Sequence, residues 1–132
     1  MKRTFFLQAV LILTALLLMN TGLNSSPRSG PKIVFDQVIY DFGTIKKNAD
    51  GTCTFHFANK GEGPLVITKV TASCGCTVPS YPKEPILPGQ SSGVKVAYNT
   101  KNVGVFTKTI SVSTNDPVNS TVVLTIKGTV TK

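Results

Sequence analysis

Two cysteines one residue apart, in Ser73-Cys74-Gly75-Cys76-Thr77, are the residues of this chain best suited to chemistry. The chain of 132 residues holds three cysteines, the third being Cys53. In an oxidising compartment three single bridges are open to them, Cys53 with Cys74, Cys53 with Cys76, or Cys74 with Cys76, and spacing alone does not choose. A bridge across Cys-Gly-Cys closes a small, strained ring that is reduced more readily than a structural disulfide, which makes it a candidate redox element. As free thiolates the same pair could chelate a soft ion such as Cu(I). Zinc needs two further ligands, and the usual Cys-x-x-Cys spacing is absent. The plainer alternative is a structural turn in which Gly75 takes a positive φ between two half-buried cysteines. Cys74 and Cys76 are therefore the candidate metal or redox residues, and Cys53 is a candidate disulfide partner. No other cofactor is expected.

The remaining chemistries lack their residues. His56 is the only histidine, and it alternates with Phe55 and Phe57 on the outer side of its segment, where a lone imidazole is an ordinary surface residue. No nucleophile is placed beside it for Ser-His-Asp catalysis. The six acidic residues are scattered, so paired-carboxylate hydrolysis has no constellation. Asp41-Phe42-Gly43 copies a kinase tripeptide without the accompanying loops and reads as a strand end followed by a turn glycine. Asn24-Ser25-Ser26 and Asn119-Ser120-Thr121 are glycosylation sequons that matter only in a eukaryotic secretory pathway. The net charge is +8, but only Lys46 and Lys47 among the downstream basic residues are adjacent, and there is no Trp. A dispersed basic surface of this kind does not suit nucleic acid. No catalytic residue is assigned, and the expectation is a protein that is not an enzyme.

The elements around the cysteines start with an export signal. Lys2 and Arg3 precede an apolar run from Phe5 to Met19 broken only by Gln8 and Thr14. The run falls short of the ~20 apolar residues of a spanning helix, which favours a cleaved signal over residues 1–22. An uncleaved anchor is the alternative, because no Ala-x-Ala site follows; only then would the chain hold to a membrane. Residues 23–32 have linker composition. Residues 33–132 form the domain, expected to be periplasmic or secreted.

From Ile33 onward, short segments rich in Val, Ile, Thr and Phe alternate with period two between Gly, Pro and Asn clusters. Val122, Leu124, Ile126 and Val130 share one parity. So do Phe106, Ile110 and Val112, and again Val94, Val96 and Tyr98. Gly128 sits on the inner parity, where a close approach by neighbouring backbone or a bulge would explain it. Leu65 and Ile67 are out of phase with Val70 and Ala72, which predicts a β-bulge near Thr68 or Lys69. Asn115-Asp116-Pro117 predicts a hairpin, and Leu87-Pro88-Gly89-Gln90 a type II turn. About seven strands are expected: 33–36, 38–42, 52–59, 65–72, 93–99, 105–114 and 121–130. The fold class is all-β, an Ig-like antiparallel β-sandwich. The Pro-rich stretch Val78 to Pro88 is expected as an exposed loop whose Tyr81 and Lys83 would meet any ligand at Cys74 and Cys76.

The order Val38-Ile39-Tyr40-Asp41-Phe42-Gly43-Thr44-Ile45, Phe55 to Gly61, Pro64-Leu65-Val66-Ile67, Ser73-Cys74-Gly75-Cys76-Thr77, Leu87-Pro88-Gly89, Gly104-Val105-Phe106, Ser113-Thr114-Asn115 and Ile126-Lys127-Gly128 resembles the bacterial domain of unknown function 1573 family. The resemblance covers Ile33 to Val130. It implies an envelope or secreted sandwich similar to Hydin-type and pilus-chaperone-type Ig-like domains, with no assigned catalysis. It also implies that Cys74 and Cys76 are signature positions, though of no established role. The expected function is a non-enzymatic interaction or structural module of the cell envelope with a protein partner. A soft-metal or thiol-redox protein acting through Cys74 and Cys76 is the alternative.

Overall fold

The structure, a computed structural model, describes residues 30–132. The signal segment and most of the linker read from the sequence lie outside the described residues. Eight strands follow in order: β1 Ile33–Phe35, β2 Ile39–Lys46, β3 Thr52–Asn59, β4 Ile67–Ala72, β5 Thr77–Ser80, β6 Ser91–Tyr98, β7 Gly104–Thr114 and β8 Thr121–Thr131. They form two four-stranded sheets, β1-β3-β6-β5 and β2-β8-β7-β4. The alternating apolar residues close the space between them: Phe55, Phe57, Val94, Val96, Ile110, Val112, Leu124 and Ile126 are all buried. This is the sandwich that the period-two pattern implied, because each sheet can hide only one face.

Three local expectations hold. The register of β4 on β7 shifts between Ile67 and Lys69, the inserted residue that brings Leu65 and Ile67 into phase with Val70 and Ala72. A Cβ at Gly128 would stand 3.0 Å from the Gly43 carbonyl and from the Phe106 ring, so the inner glycine answers a close approach from both sides. Gly89 has φ +81°, and the Gln90 amide donates to the Leu87 carbonyl at 3.0 Å, as a type II turn requires.

Four details differ from the sequence reading. β5 is an additional strand in the stretch read as a loop; Pro79 is tolerated there because β5 is an edge strand and proline's missing donor costs nothing on a free edge. β2 does not stop at Phe42. Asp41 Oδ1 accepts the Gly43 amide at 2.8 Å, Gly43 takes φ +63°, and the strand resumes through Lys46 after a register shift, so Asp-Phe-Gly is a bulge inside a strand. β2 pairs with β8 in parallel, whereas every other ladder is antiparallel. A strand's own alternation does not encode the direction of its neighbour. Gly75 is not among the residues of positive φ, and a Cβ there would meet nothing within 4 Å.

Two buried polar side chains fasten loops to this frame. Asn59 continues the inner parity of Cys53, Phe55 and Phe57, and its amide is fully used. Oδ1 accepts the amides of Lys32 (3.2 Å) and Gly61 (3.0 Å), and Nδ2 donates to the carbonyls of Gly63 (2.8 Å) and Ile86 (2.9 Å). Asp116, in the β7–β8 turn, accepts the amides of Ile33 (2.9 Å), Val118 (2.8 Å) and Asn119 (3.1 Å). The Ile33 bond reaches from one sheet to the other.

Candidate functional site

The cysteine turn joins the two edge strands that lie on one side of the sandwich, β4 of one sheet and β5 of the other. It is held from both. The Ser73 amide donates to the Thr109 carbonyl at 2.9 Å while the Thr109 amide donates to Ser73 Oγ at 3.1 Å, which fixes the entry to β7. At the exit the Asn99 amide donates to the Cys76 carbonyl at 2.8 Å, and Thr77 opens the ladder with Tyr98. Between these anchors Cys74 and Cys76 are bonded to each other, with their Cα atoms 5.3 Å apart. Both are half-buried and Gly75 is exposed. The Thr77 hydroxyl, itself buried, stands 3.7 Å from Cys74 Sγ and 3.9 Å from Cys76 Sγ.

Of the three bridges open to the sequence, the structure has Cys74–Cys76, so Cys53 is not a disulfide partner. Cys53 lies on the inner face of β3, and burial pushes its thiol up to about 11, which keeps it protonated and unreactive at neutral pH. His56 is opposite Gly93, whereas Cys76 is level with Asn99; six residues of strand separate them, roughly 20 Å. Among the described residues no cluster of three His, Cys, Asp or Glu side chains forms, so a soft ion would have the two sulfurs alone from that set. Tyr81 and Lys83 are not brought to the bridge. β5 carries the chain about 16 Å from Cys76 to Tyr81, which packs on the core edge with the Lys83 ammonium 3.4 Å from its ring centre. The Thr77 hydroxyl is the neighbour that sequence reasoning missed, although it stands in the same pentapeptide.

The bridge does less for the fold than a longer-range one would. By the chain-entropy rule, closing a three-residue ring is worth roughly 1.6 kcal/mol, against roughly 3.4 kcal/mol for the Cys53–Cys74 loop. Reduction should therefore lower the urea midpoint by about 1 M and leave the far-UV circular dichroism unchanged. Alkylation after reduction should label Cys74 and Cys76 in the folded protein and Cys53 only after unfolding. Labelling of Cys53 under native conditions would show that the core opens with the bridge.

The opposite side of the sandwich has a different chemistry. The Thr125 amide donates to the Val38 carbonyl at 2.8 Å, and parallel pairing then directs the backbone groups of Ile39 and Asp41 away from β8 to an edge that is free among the described residues. Apolar side chains surround this edge. Ile39 is 53% exposed, Val38 43% and Val34 37%, and Val123 on β8 is 52% exposed. A groove of about 310 Å³ runs beside them, lined by Ile33, Val34, Phe35, Val38 and Val122 among others.

The family model described as "Protein of unknown function (DUF1573)" matches residues 33–130. No curated protein matches the chain. Among solved structures, a protein of unknown function from Porphyromonas gingivalis W83 is similar, with TM-score 0.69 and 18% identity over 82% of this chain and 51% of that one. The present chain thus spans about half the length of that relative. The ASH/PapD-like domain 7 of human CEP192 aligns with TM-score 0.64 and 9% identity, covering 85% of this chain and 92% of its own. The CsuC–CsuE chaperone–tip adhesion subunit pre-assembly complex of Acinetobacter baumannii aligns with TM-score 0.54 and 10% identity over 74% of this chain and 56% of that one. At these identities the likeness is one of fold, an Ig-like PapD-type sandwich.

Proposed function

We propose a function for a chain that belongs to the DUF1573 family, whose own function is unknown: it is an exported, non-enzymatic Ig-like module that binds a protein partner of the cell envelope. The observation that carries this reading is the free edge at Ile39–Asp41 with its exposed apolar border of Val34, Val38, Ile39 and Val123. Backbone groups on a free strand edge bind an extended segment through main-chain hydrogen bonds, and adjacent pockets select its side chains. The Gly43 bulge turns β2 away after Asp41 and restricts the pairing to a short segment. That restriction also protects the edge from indefinite sheet growth. The resemblance to PapD-type domains supports the reading at the level of fold only.

A photo-crosslinking residue at position 38, in chain produced in its own host, is expected to capture one discrete envelope protein. The same residue at position 118, also exposed but at the β7–β8 turn, is expected to capture none. Equal labelling from both positions, or labelling from position 118 alone, would contradict the assignment of the edge.

A further inference from the structure

We propose that the Cys74–Cys76 bridge is a thiol–disulfide exchange site that accepts electrons from a dithiol of a partner protein. Its place in the turn argues first against a staple. Ser73, Thr109, Cys76 and Asn99 already hold the turn to both sheets through backbone groups and one hydroxyl, so the loop keeps its position when the sulfurs part. The ring that the bridge closes spans only three residues and restricts the unfolded chain about half as much as a Cys53–Cys74 loop would.

Gly75 argues for access. The fold requires no glycine there, since its φ is not in the left-handed region and a Cβ would touch nothing within 4 Å. Gly75 is itself exposed and puts no side chain between the two half-buried cysteines, where an attacking thiolate needs room to align with the S–S bond. Thr77 supplies the remaining part. Its hydroxyl lies within reach of both sulfurs and can donate to whichever one is released as a thiolate, which lowers the leaving group's pKa and speeds departure. The other thiol, Cys53, is buried in the core and does not intercept the exchange.

The step balances as an ordinary dithiol exchange. A thiolate of the partner attacks one sulfur of the bridge, the S–S bond breaks, and the other sulfur leaves as a thiolate in a mixed disulfide. The partner's second thiolate then attacks its own sulfur in that mixed disulfide and releases the second cysteine. Cys74 and Cys76 gain two electrons and two protons, and the partner dithiol, having lost them, becomes a disulfide.

The test uses the oxidised full chain, with glutathione and reduced thioredoxin as probes. In millimolar glutathione with roughly a tenfold excess of the reduced form, more than half of the folded chains should carry two alkyl groups after quenching, because structural disulfides resist that pool whereas small-ring ones yield. Reduced thioredoxin should be oxidised stoichiometrically, one dithiol per chain. A bridge that stays oxidised in glutathione and leaves thioredoxin reduced overturns the proposal. Thr77→Val should slow the exchange by about fivefold and raise the pH at which the released thiolate absorbs, and Thr77→Ser should restore both. An unchanged rate and thiolate titration in folded Thr77→Val would remove Thr77 from the site. If Thr77→Val does not fold, the glutathione and thioredoxin measurements on the wild-type chain still decide the proposal.

Discussion

Asp116→Ala is expected to lower the stability of the domain by about 4 kcal/mol, since it strips the acceptor from three amides at a site of 2% exposure. A loss of that size is a large share of the 5–15 kcal/mol typical of a domain and should move the thermal midpoint by about 20 °C. The effect is large because one of those amides belongs to Ile33 on the opposite sheet. Without the carboxylate, β1 loses its fastening to the β7–β8 turn. Burial pushes the Asp116 carboxyl up, but hydrogen bonds from the Asn119, Ile33 and Val118 amides and the Asn119 side chain outweigh it and hold the pKa below the usual carboxylate value. The sign of the pH dependence follows. A group whose folded pKa is depressed contributes its full stability above the unfolded value of about 3.9 and loses it as pH falls through the folded value. Acidification below about pH 4 should therefore weaken the wild-type domain more than Asp116→Asn, measured as urea midpoints across the acid range.

The second large effect is at Asn59. Asn59→Ala should cost about 3 kcal/mol, because four hydrogen bonds disappear together and the Ile86 carbonyl keeps only the Leu65 amide as donor. Asn59→Asp separates geometry from charge. The carboxylate still accepts from Lys32 and Gly61, but it then faces the Gly63 and Ile86 carbonyls with no proton to offer. It should be at least as damaging as alanine near neutral pH, and partly relieved in acid where the carboxyl is protonated. Denaturation midpoints of the two variants at both pH values check this. Equal, small losses in both would mean that the turn after β3 holds itself.

The residues that sequence reasoning placed well are those whose cue is local. Phe55, Phe57, Val94, Val96, Leu124 and Ile126 announce a buried face through alternation alone. The bulge between Ile67 and Lys69 is legible because a phase slip in that alternation has one cheap remedy. Asn59 is legible in part, since it closes the expected strand 52–59 on the parity of Phe55 and Phe57, but no local cue announces the four bonds its amide makes. Asp116 gave no such cue. Its partner Ile33 is 83 residues away, and Asn-Asp-Pro reads locally as an exposed turn. The parallel pairing of β2 with β8 and the pairing of β5 with β6 are likewise set by topology. At the candidate site the sequence supplied the cysteines, yet the bridge between them and the hydroxyl beside them needed coordinates, because three pairings satisfied the spacing equally.

On the proposed reading a partner binds at the β2 edge, and the cysteine turn, on the other side of the sandwich, is not its docking surface. The most direct measurement is recovery, without a crosslinker, of the partner first captured from position 38 by three forms of the chain: wild type, Val38→Lys/Ile39→Lys, and Cys74→Ser/Cys76→Ser, each first shown to be folded by its thermal midpoint. The edge variant is expected to lose the partner by at least about tenfold, since two buried charges would have to be desolvated without partners, and the cysteine variant to retain it. Retention by the edge variant with loss by the cysteine variant would contradict it and place the binding surface at Cys74 and Cys76.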